Sequence, residues 1–466
     1  MLSRGSIGVL LRSRCAARPV GIPTIEKAAL ALPALKYTDL KLFAKRSRIA
    51  REAIVQPHMA GFVANHNWGE TQMFKIRTYN QISVKGLDRL PRECYEVGGD
   101  INSPDALLLR SHKLGAEQIT AQIKAVARAG AGVNNIPIEA CTGRGIPVFN
   151  TPGANANAVK ELVAAALLLA SRGIYEGVQY VKSLAPEMAA ADMSKLLEQE
   201  KKRFAGQEIR GKTLGVVGLG AIGSKVARLG LSMGMEVIGF DPALSVEAAW
   251  RLPSEVKRMA NMNSLFSRAD FISLHLPVLE STRNLVNADN VGYFRKGACL
   301  LNFAREEIVD VEAIVMALDS GQLGRYIADF PHPRLIGRSD VILMPHIGAS
   351  TEEAEENCAV MAADQLRSFL EHGNIRNSVN FPALELERTG GFRISVTNQN
   401  IPGMLGNILS LLAAAEINVV DMLNKSRDNI AYNLIDIEGA PEQTLIDRIS
   451  AVEGVVNVRV IMPPAC

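Results

Sequence analysis

The stretch Leu214–Gly223 constrains this chain more than any other. Leu214-Gly215-Val216-Val217 has the character of a buried strand, and Gly218-Leu219-Gly220-Ala221-Ile222-Gly223 follows it directly. In a GxGxxG turn between a strand and a helix the glycines have separate tasks. Gly218 permits the tight turn, Gly220 lets the backbone approach a pyrophosphate, and Gly223 lets helix and strand pack closely. The phosphates of a dinucleotide then sit on the unpaired N–H groups of the helix start, around Ala221 and Ile222. Glu236-Val237-Ile238-Gly239-Phe240-Asp241 reads as the next strand. Asp241 comes 18 residues after Gly223, near the position that binds an adenosine ribose. A carboxylate there repels a 2′-phosphate, so the expected cofactor is NAD rather than NADP. A bare glycine turn, with Asp241-Pro242 as a turn starter, is the rival reading, but it leaves the strand–turn–helix–strand order unexplained.

The same alternation recurs on both sides. Phe74–Tyr79 alternates like a strand, Ala106–Leu109 is a short buried strand, and Ile123–Ala129 and Ile146–Asn150 are two more. The stretch 154–171 is rich in Ala and Leu and reads as a helix. After the glycine motif come Phe271–His275, Ala298–Asn302 and Val341–Pro345. Strands alternating with helices imply parallel sheets with helices on both faces. The expected fold is therefore α/β, with two Rossmann-like doubly wound parallel-sheet domains. The first takes residues 74–182 and is completed by 352–380, a segment whose helix at 352–372 returns to it. The second, the nucleotide-binding one, takes 183–351, with 183–209 as a polar connecting helix or linker. Asn380–Gly391 reads as a further linker. The last residues, 391–466, suggest a small α+β, ferredoxin-like βαββαβ unit, with strands at 392–397, 418–425, 430–437 and 455–462 and helices at 403–415 and 441–451.

Composition excludes more than it identifies. There are 51 Lys and Arg against 48 Asp and Glu, a net charge of +3, which gives no reason to expect nucleic acid. The longest strongly apolar run, Leu162–Ala170, is far too short to span a bilayer. The six cysteines form no CxxC pair and no metal-ligand spacing, so reduced thiols in an intracellular protein and no metal are expected. Residues 1–73 form an extension. Its start carries Arg4, Arg12, Arg14 and Arg18 before the first acid, Glu26, with serines between. That is the composition of a mitochondrial or plastid presequence, or else of a basic extension with no address.

Hydride transfer from a hydroxyl needs, besides NAD, a base for the hydroxyl proton and a cation to hold and polarise the substrate. Arg305 follows the strand Ala298–Asn302, and His346 follows Val341–Pro345. A guanidinium can clamp a carboxylate through two hydrogen bonds, and an imidazole titrates near working pH. His275, Pro277 and Ala304, at other strand ends of the same unit, are cofactor-side candidates.

These residues carry a family resemblance. Asn302-Phe303-Ala304-Arg305-Glu306-Glu307-Ile308-Val309-Asp310 resembles the arginine signature of the D-isomer-specific 2-hydroxyacid dehydrogenases. Pro345-His346-Ile347-Gly348-Ala349-Ser350-Thr351 resembles their histidine signature. Leu109-Arg110-Ser111, Arg128–Asn135 and Gly145–Pro152 are similar to the substrate domain of the branch that acts on 3-phospho-D-glycerate. The resemblance covers about 74–466. It implies Arg305 on the substrate carboxylate and carbonyl, His346 as acid/base, Arg110 and Ser111 on the substrate, and backbone N–H groups near Gly130, Gly132 and Asn134 around the carboxylate. It places Asp329 at the nicotinamide. The chain departs from the family's DVFxxEP pattern, reading Ala328-Asp329-Phe330-Pro331-His332-Pro333. The glutamate that pairs with the histidine is absent and the loop is shorter. Either another acid takes its place, or Asp329 serves both roles, or the pH optimum shifts.

Ser395–Leu405 resembles the start of an ACT domain, a regulatory module that pairs edge to edge and binds small amino acids between two copies. Asn398, Asn400 and Asn418 match its ligand-contacting positions; turn-forming asparagines are the alternative. The resemblance as a whole implies oxidation of 3-phospho-D-glycerate to 3-phosphooxypyruvate, the opening step of L-serine synthesis, with L-serine as feedback inhibitor. It also implies a homo-oligomer, formed through the helix at 154–171 or the ACT edge. A glyoxylate or hydroxypyruvate reductase is the alternative enzyme, and a non-catalytic NAD-sensing protein the alternative from another class.

Overall fold

The computed structural model describes residues 73–389 and 391–463. The presequence expectation and the role of residues 26–72 lie outside the described residues. Those described belong to one compact unit.

Each short apolar run becomes a parallel strand. The first sheet has β1 (Phe74–Thr78), β2 (Tyr95–Gly98), β3 (Ala106–Leu109), β4 (Ala125–Arg128) and β5 (Val148–Phe149), ordered β2-β1-β3-β4-β5. All its pairs are parallel. Every residue of β3 is buried, because helices cover both faces. The long helix Glu352–His372 packs on this sheet: Cys358, Ala359, Ala362, Ala363, Leu366 and Phe369 share a core with Ile76, Ala106, Leu108 and Phe149. Its ends are written in its sequence. Thr351 Oγ1 accepts from Ala354 N at 3.1 Å, Glu352, Glu353 and Glu355 favour the first turn, and Gly373, at φ 72°, closes the helix in the left-handed region.

The second sheet holds β6 (Thr213–Val217), β7 (Glu236–Phe240), β8 (Lys257–Arg258), β9 (Phe271–Leu274), β10 (Ala298–Asn302), β11 (Leu323–Ala328) and β12 (Val341–Leu343). Its order is β12-β11-β10-β9-β6-β7-β8. The order reverses between β6 and β9, the crevice where open α/β sheets bind ligands. Between the sheets, the segment 183–209, expected as a polar connecting helix or linker, holds the helix Ala190–Glu200, and the helix Ile174–Lys182 precedes it.

The third sheet is antiparallel: β13 (Phe392–Gln399), β14 (Val419–Arg427), β15 (Ile430–Ile437) and β16 (Val455–Ile461), ordered β14-β15-β13-β16. Helices Met404–Ala414 and Gln443–Ser450 cover one face, packing Ile408, Leu412, Leu445 and Ile449 on Ile394, Val396, Ile435 and Ile437. The other face joins the first sheet's core through Ile430, Tyr432 and Leu434. The expected linker 380–391 is not free either. Phe381 and Leu384 are buried in that same core, and Asn380 bonds to Val148 N, Ile146 O and Thr142 Oγ1. Among the described residues no helix is long and apolar enough to cross a membrane.

Candidate active site

Parallel strands deliver their carboxyl ends to one edge of each sheet, and the two edges face each other. A methyl group at Gly153, beyond β5, would lie 2.9 Å from Ala221 Cβ in the glycine turn. One at Gly132, beyond β4, would lie 3.5 Å from Arg305 Nη2, beyond β10. The candidate residues stand along this cleft: Arg110 and Ser111 after β3, Gly130, Gly132 and Asn134 after β4, and Gly218 after β6. Asp241 follows β7, His275 and Pro277 follow β9, Ala304 and Arg305 follow β10, Asp329 follows β11 and His346 follows β12.

The three glycines of the turn sit in contrasting surroundings. Gly218 has φ 87°, and a Cβ there would come within 2.4 Å of His275 O. At Gly223 a Cβ would fall 1.8 Å from Gly218 O. Over the exposed Gly220 nothing lies within 4 Å of that position. The backbone is thus bare where a pyrophosphate would rest, at the start of the helix Gly223–Ser232, beside exposed Ala221 and half-buried Ile222. Asp241 Oδ2 accepts from Leu219 N at 2.8 Å and Oδ1 from Ala243 N at 2.9 Å, so it braces the glycine turn. His275 bonds through Nε2 to Ser273 Oγ at 2.8 Å, and burial pushes its pKa down to about 3. Its Nδ1 is buried without a partner, a polar atom left over on the cofactor side. Pro277 is exposed and Ala304 is buried. A bare backbone cradle, a ribose-side carboxylate and an orphaned buried nitrogen fit a dinucleotide.

The substrate side converges on cations. Arg128, the last residue of β4, sends Nε to Arg110 O at 2.9 Å and Nη1 to Gly132 O. Burial lowers its pKa, and the charges of Arg305 and Arg110 lower it further. Like charges are costly together in a half-buried cleft, and an anion is what relieves them. Among the described residues, Arg110 is the one of the three arginines with a carboxylate partner, Glu355, at 2.7 Å, while Arg305 Nη1 donates to Ala304 O at 2.6 Å. Sequence reading missed Arg128 as a site residue. The signal was the one that marked Arg110 and Arg305, an arginine closing a buried strand. The glycine loop after it is held from below, with Asn150 Nδ2 donating to Ala131 O at 2.6 Å and Thr151 N to Gly130 O at 3.1 Å. Ser111 is exposed, its N–H bound to Asn80 Oδ1 at 3.0 Å. Asn134 is also exposed.

His346 is exposed in the cleft, with the Phe330 ring 4.9 Å from its own. Among the described residues no carboxylate stands within ion-pair distance of it. Asp329, 2% exposed, accepts from Ile347 N at 2.8 Å and Gly348 N at 2.6 Å. No described acid therefore takes the place of the missing glutamate at the ring.

The three asparagines of the C-terminal sheet are not brought together. Asn398 is buried and spent inside the sheet, accepting from Asn433 Nδ2 at 2.7 Å and donating to Gln399 O at 2.6 Å. Asn400 is exposed and donates to Asp428 O at 3.1 Å. Asn418 precedes Val419, which pairs with Ile437, whose partner across the sheet is Phe392. It stands at the opposite end of the sheet from Asn398.

Two parallel sheets facing a cleft, with a dinucleotide turn on one side and arginines on the other, define a dinucleotide-dependent dehydrogenase of a small anionic substrate. Residues 164–348 match the model of the D-isomer specific 2-hydroxyacid dehydrogenase, NAD binding domain. The chain is 33% identical over 368 residues to the D-3-phosphoglycerate dehydrogenase of Haemophilus influenzae, covering 76% of this chain and 85% of that one. It is 34% identical over 412 residues to the enzyme of the same name from Synechocystis sp., covering 83% and 71%. The NAD-bound 3-phosphoglycerate dehydrogenase structure from Entamoeba histolytica aligns at TM-score 0.52 and 26% identity, over 67% of this chain and all of that one (100%). The chain belongs to the D-isomer specific 2-hydroxyacid dehydrogenases and is an NAD-dependent oxidoreductase.

Proposed function

We propose that this dehydrogenase oxidises 3-phospho-D-glycerate to 3-phosphooxypyruvate, opening L-serine synthesis. The observation that carries the reading is the convergence of Arg110, Arg128 and Arg305 on one glycine loop, where Glu355 on Arg110 is the single carboxylate partner among the described residues. A simple 2-hydroxy acid brings one negative charge, whereas a phosphorylated one brings about three, which suits a cluster of guanidiniums. The name shared by the bacterial relatives supports the same substrate.

Bound NAD supplies the hydride acceptor. Arg305 holds the substrate carboxylate and polarises the C2 oxygen as it becomes a carbonyl. Backbone N–H groups at Gly130–Asn134 orient that carboxylate, and Arg110 and Arg128 balance the remaining charge. His346 takes the C2 hydroxyl proton as the C2 hydrogen departs with its electron pair, leaving the C2=O bond. The test is the ratio of kcat/KM for 3-phospho-D-glycerate to that for D-glycerate. A preference of about 100-fold or more is expected, since half-buried cations left without an anion penalise a substrate that lacks phosphate. Equal use of both would overturn it.

Serine regulation belongs to the same proposal. Because Asn398 is occupied internally and Asn418 stands at the far end of the sheet, a ligand spanning Asn400 and Asn418 requires two copies side by side. The exposed edge strand β14 is suited to such pairing. A second contact between copies is supported by the helix Ile174–Lys182, which exposes Tyr175, Val178 and Val181 at 47–50%. The helix Ala156–Ser171, expected to carry the interface, exposes only Leu168 among its large apolar residues. Light scattering that finds only monomer would remove both contacts.

A further inference from the structure

We propose that Asp329 is a positioning residue for His346, acting through the backbone in place of a carboxylate paired with the imidazole. The inference rests on the reading of His346 as the proton acceptor.

β11 and β12 are neighbours in register, Ala328 opposite Leu343, so Asp329 and the turn carrying His346 leave the sheet side by side. Asp329 is anchored before its side chain acts: its N–H donates to Asn302 O at 3.1 Å, and Met344 N donates to Ala328 O at 2.9 Å. Each carboxylate oxygen then accepts one backbone N–H from the turn, Ile347 at 2.8 Å and Gly348 at 2.6 Å. Charge-assisted bonds of this length to a buried carboxylate are strong and directional.

What they hold is unusual backbone. His346 has φ 57°, a region that residues with a Cβ avoid. Such a conformation persists where neighbours over-determine it, and the two N–H groups immediately after His346 are the ones Asp329 grips. Gly348 belongs to the same device, since a Cβ there would stand 2.9 Å from Asp329 Oδ2. Phe330, next to Asp329, sets its ring 4.9 Å from the imidazole at 59° and limits the ring's swing. One dipeptide thus fixes the histidine from two sides, backbone and ring face. Both imidazole nitrogens stay clear of any described carboxylate. The shortened loop that lost the glutamate kept the pair of residues able to do this.

The test is a double-mutant cycle. Asp329→Asn preserves size and one acceptor oxygen, and Asp329→Ala removes both. Each is made in the wild type and in His346→Ala, with thermal midpoints confirming a folded chain. Read out are kcat and KM for 3-phospho-D-glycerate and the NADH Kd by fluorescence. A base displaced by about 1 Å loses on the order of 100-fold in rate. Asp329→Ala is therefore expected to lower kcat by that order, Asp329→Asn by less, with NADH Kd rising far less than kcat falls. Neither should cost anything further in the His346→Ala background. Full loss on top of His346→Ala, or a rise in NADH Kd matching the fall in kcat, would place Asp329 on the cofactor and overturn the proposal. Undiminished turnover in His346→Ala alone would instead remove the base, and the proposal with it.

Discussion

Arg393 and Asp436 stand opposite each other on adjacent antiparallel strands and form a doubly bonded ion pair at 0% and 2% side-chain exposure. Arg393 also donates to His372 O at 2.8 Å, Leu386 O at 3.0 Å and Glu387 O at 3.0 Å. One side chain therefore ties the C-terminal sheet to the end of the long helix and to the segment between them. Burial raises the Asp436 pKa, but the bonds and charge of Arg393 outweigh this and hold it below the usual carboxylate value. Removing one partner of a buried pair leaves the other charge uncompensated, at a cost of about 3–5 kcal/mol. Arg393→Met is expected to lose stability on that scale in urea unfolding. A loss within about 0.5 kcal/mol, the range of surface substitutions, would show that the pair does not join the two parts.

Arg128 is predicted to matter for substrate and not for cofactor. Arg128→Met should lower kcat/KM for 3-phospho-D-glycerate by about 100-fold, as expected when a charge-assisted contact and its loop are lost. NADH Kd should be unchanged. An equal effect on both ligands would mean that Arg128 only holds the fold.

Gly220 and Gly223 should fail differently. Gly220→Ala places a Cβ with nothing within 4 Å and should keep its thermal midpoint, yet a methyl group over the bare backbone should weaken NAD binding. Gly223→Ala forces a Cβ to 1.8 Å from Gly218 O, so both stability and NAD binding should fall. Identical behaviour of the two variants would contradict the division of labour in the turn.

The depressed pKa of His275 makes a pH prediction. The unfolded chain carries an ordinary histidine near 6.5, while burial holds the folded one at about 3. Above pH 6.5 both states are neutral and stability is unaffected. As the pH falls below 6.5, the unfolded state takes up a proton that the folded state refuses. Stability then drops by at most about 1.4 kcal/mol per pH unit until about pH 3. Urea midpoints at pH 7 and pH 5 should converge in His275→Gln relative to the wild type. An unchanged difference would show that His275 is not the group responsible.

Much of this was readable from the chain because strand ends carry the chemistry. Ala106–Leu109 and Ala298–Asn302 are apolar runs closely followed by an arginine, which makes Arg110 and Arg305 legible in the sequence as strand-end residues. Gly218, Gly220 and Gly223 were fixed by the turn they must form. Physical context hid the rest. β2 at Tyr95–Gly98 is a short edge strand without a clear alternation, and two-residue β8 has no pattern to show. Phe381 and Leu384 sit among linker-like residues, and nothing local shows that they are buried. Asn398 looked ligand-facing because its partner Asn433 is 35 residues away and adjacent only through sheet pairing. The grip of Asp329 on Ile347 and Gly348 likewise depends on two strand ends meeting in space.

The most direct test of the account is the appearance of NADH absorbance when the purified chain is mixed with NAD and 3-phospho-D-glycerate, repeated with L-serine. NADH formation that serine suppresses is the expected result; formation that serine leaves unchanged would remove the effector and keep the enzyme. No NADH from 3-phospho-D-glycerate, with NADH consumed on hydroxypyruvate or glyoxylate, would contradict the substrate assignment.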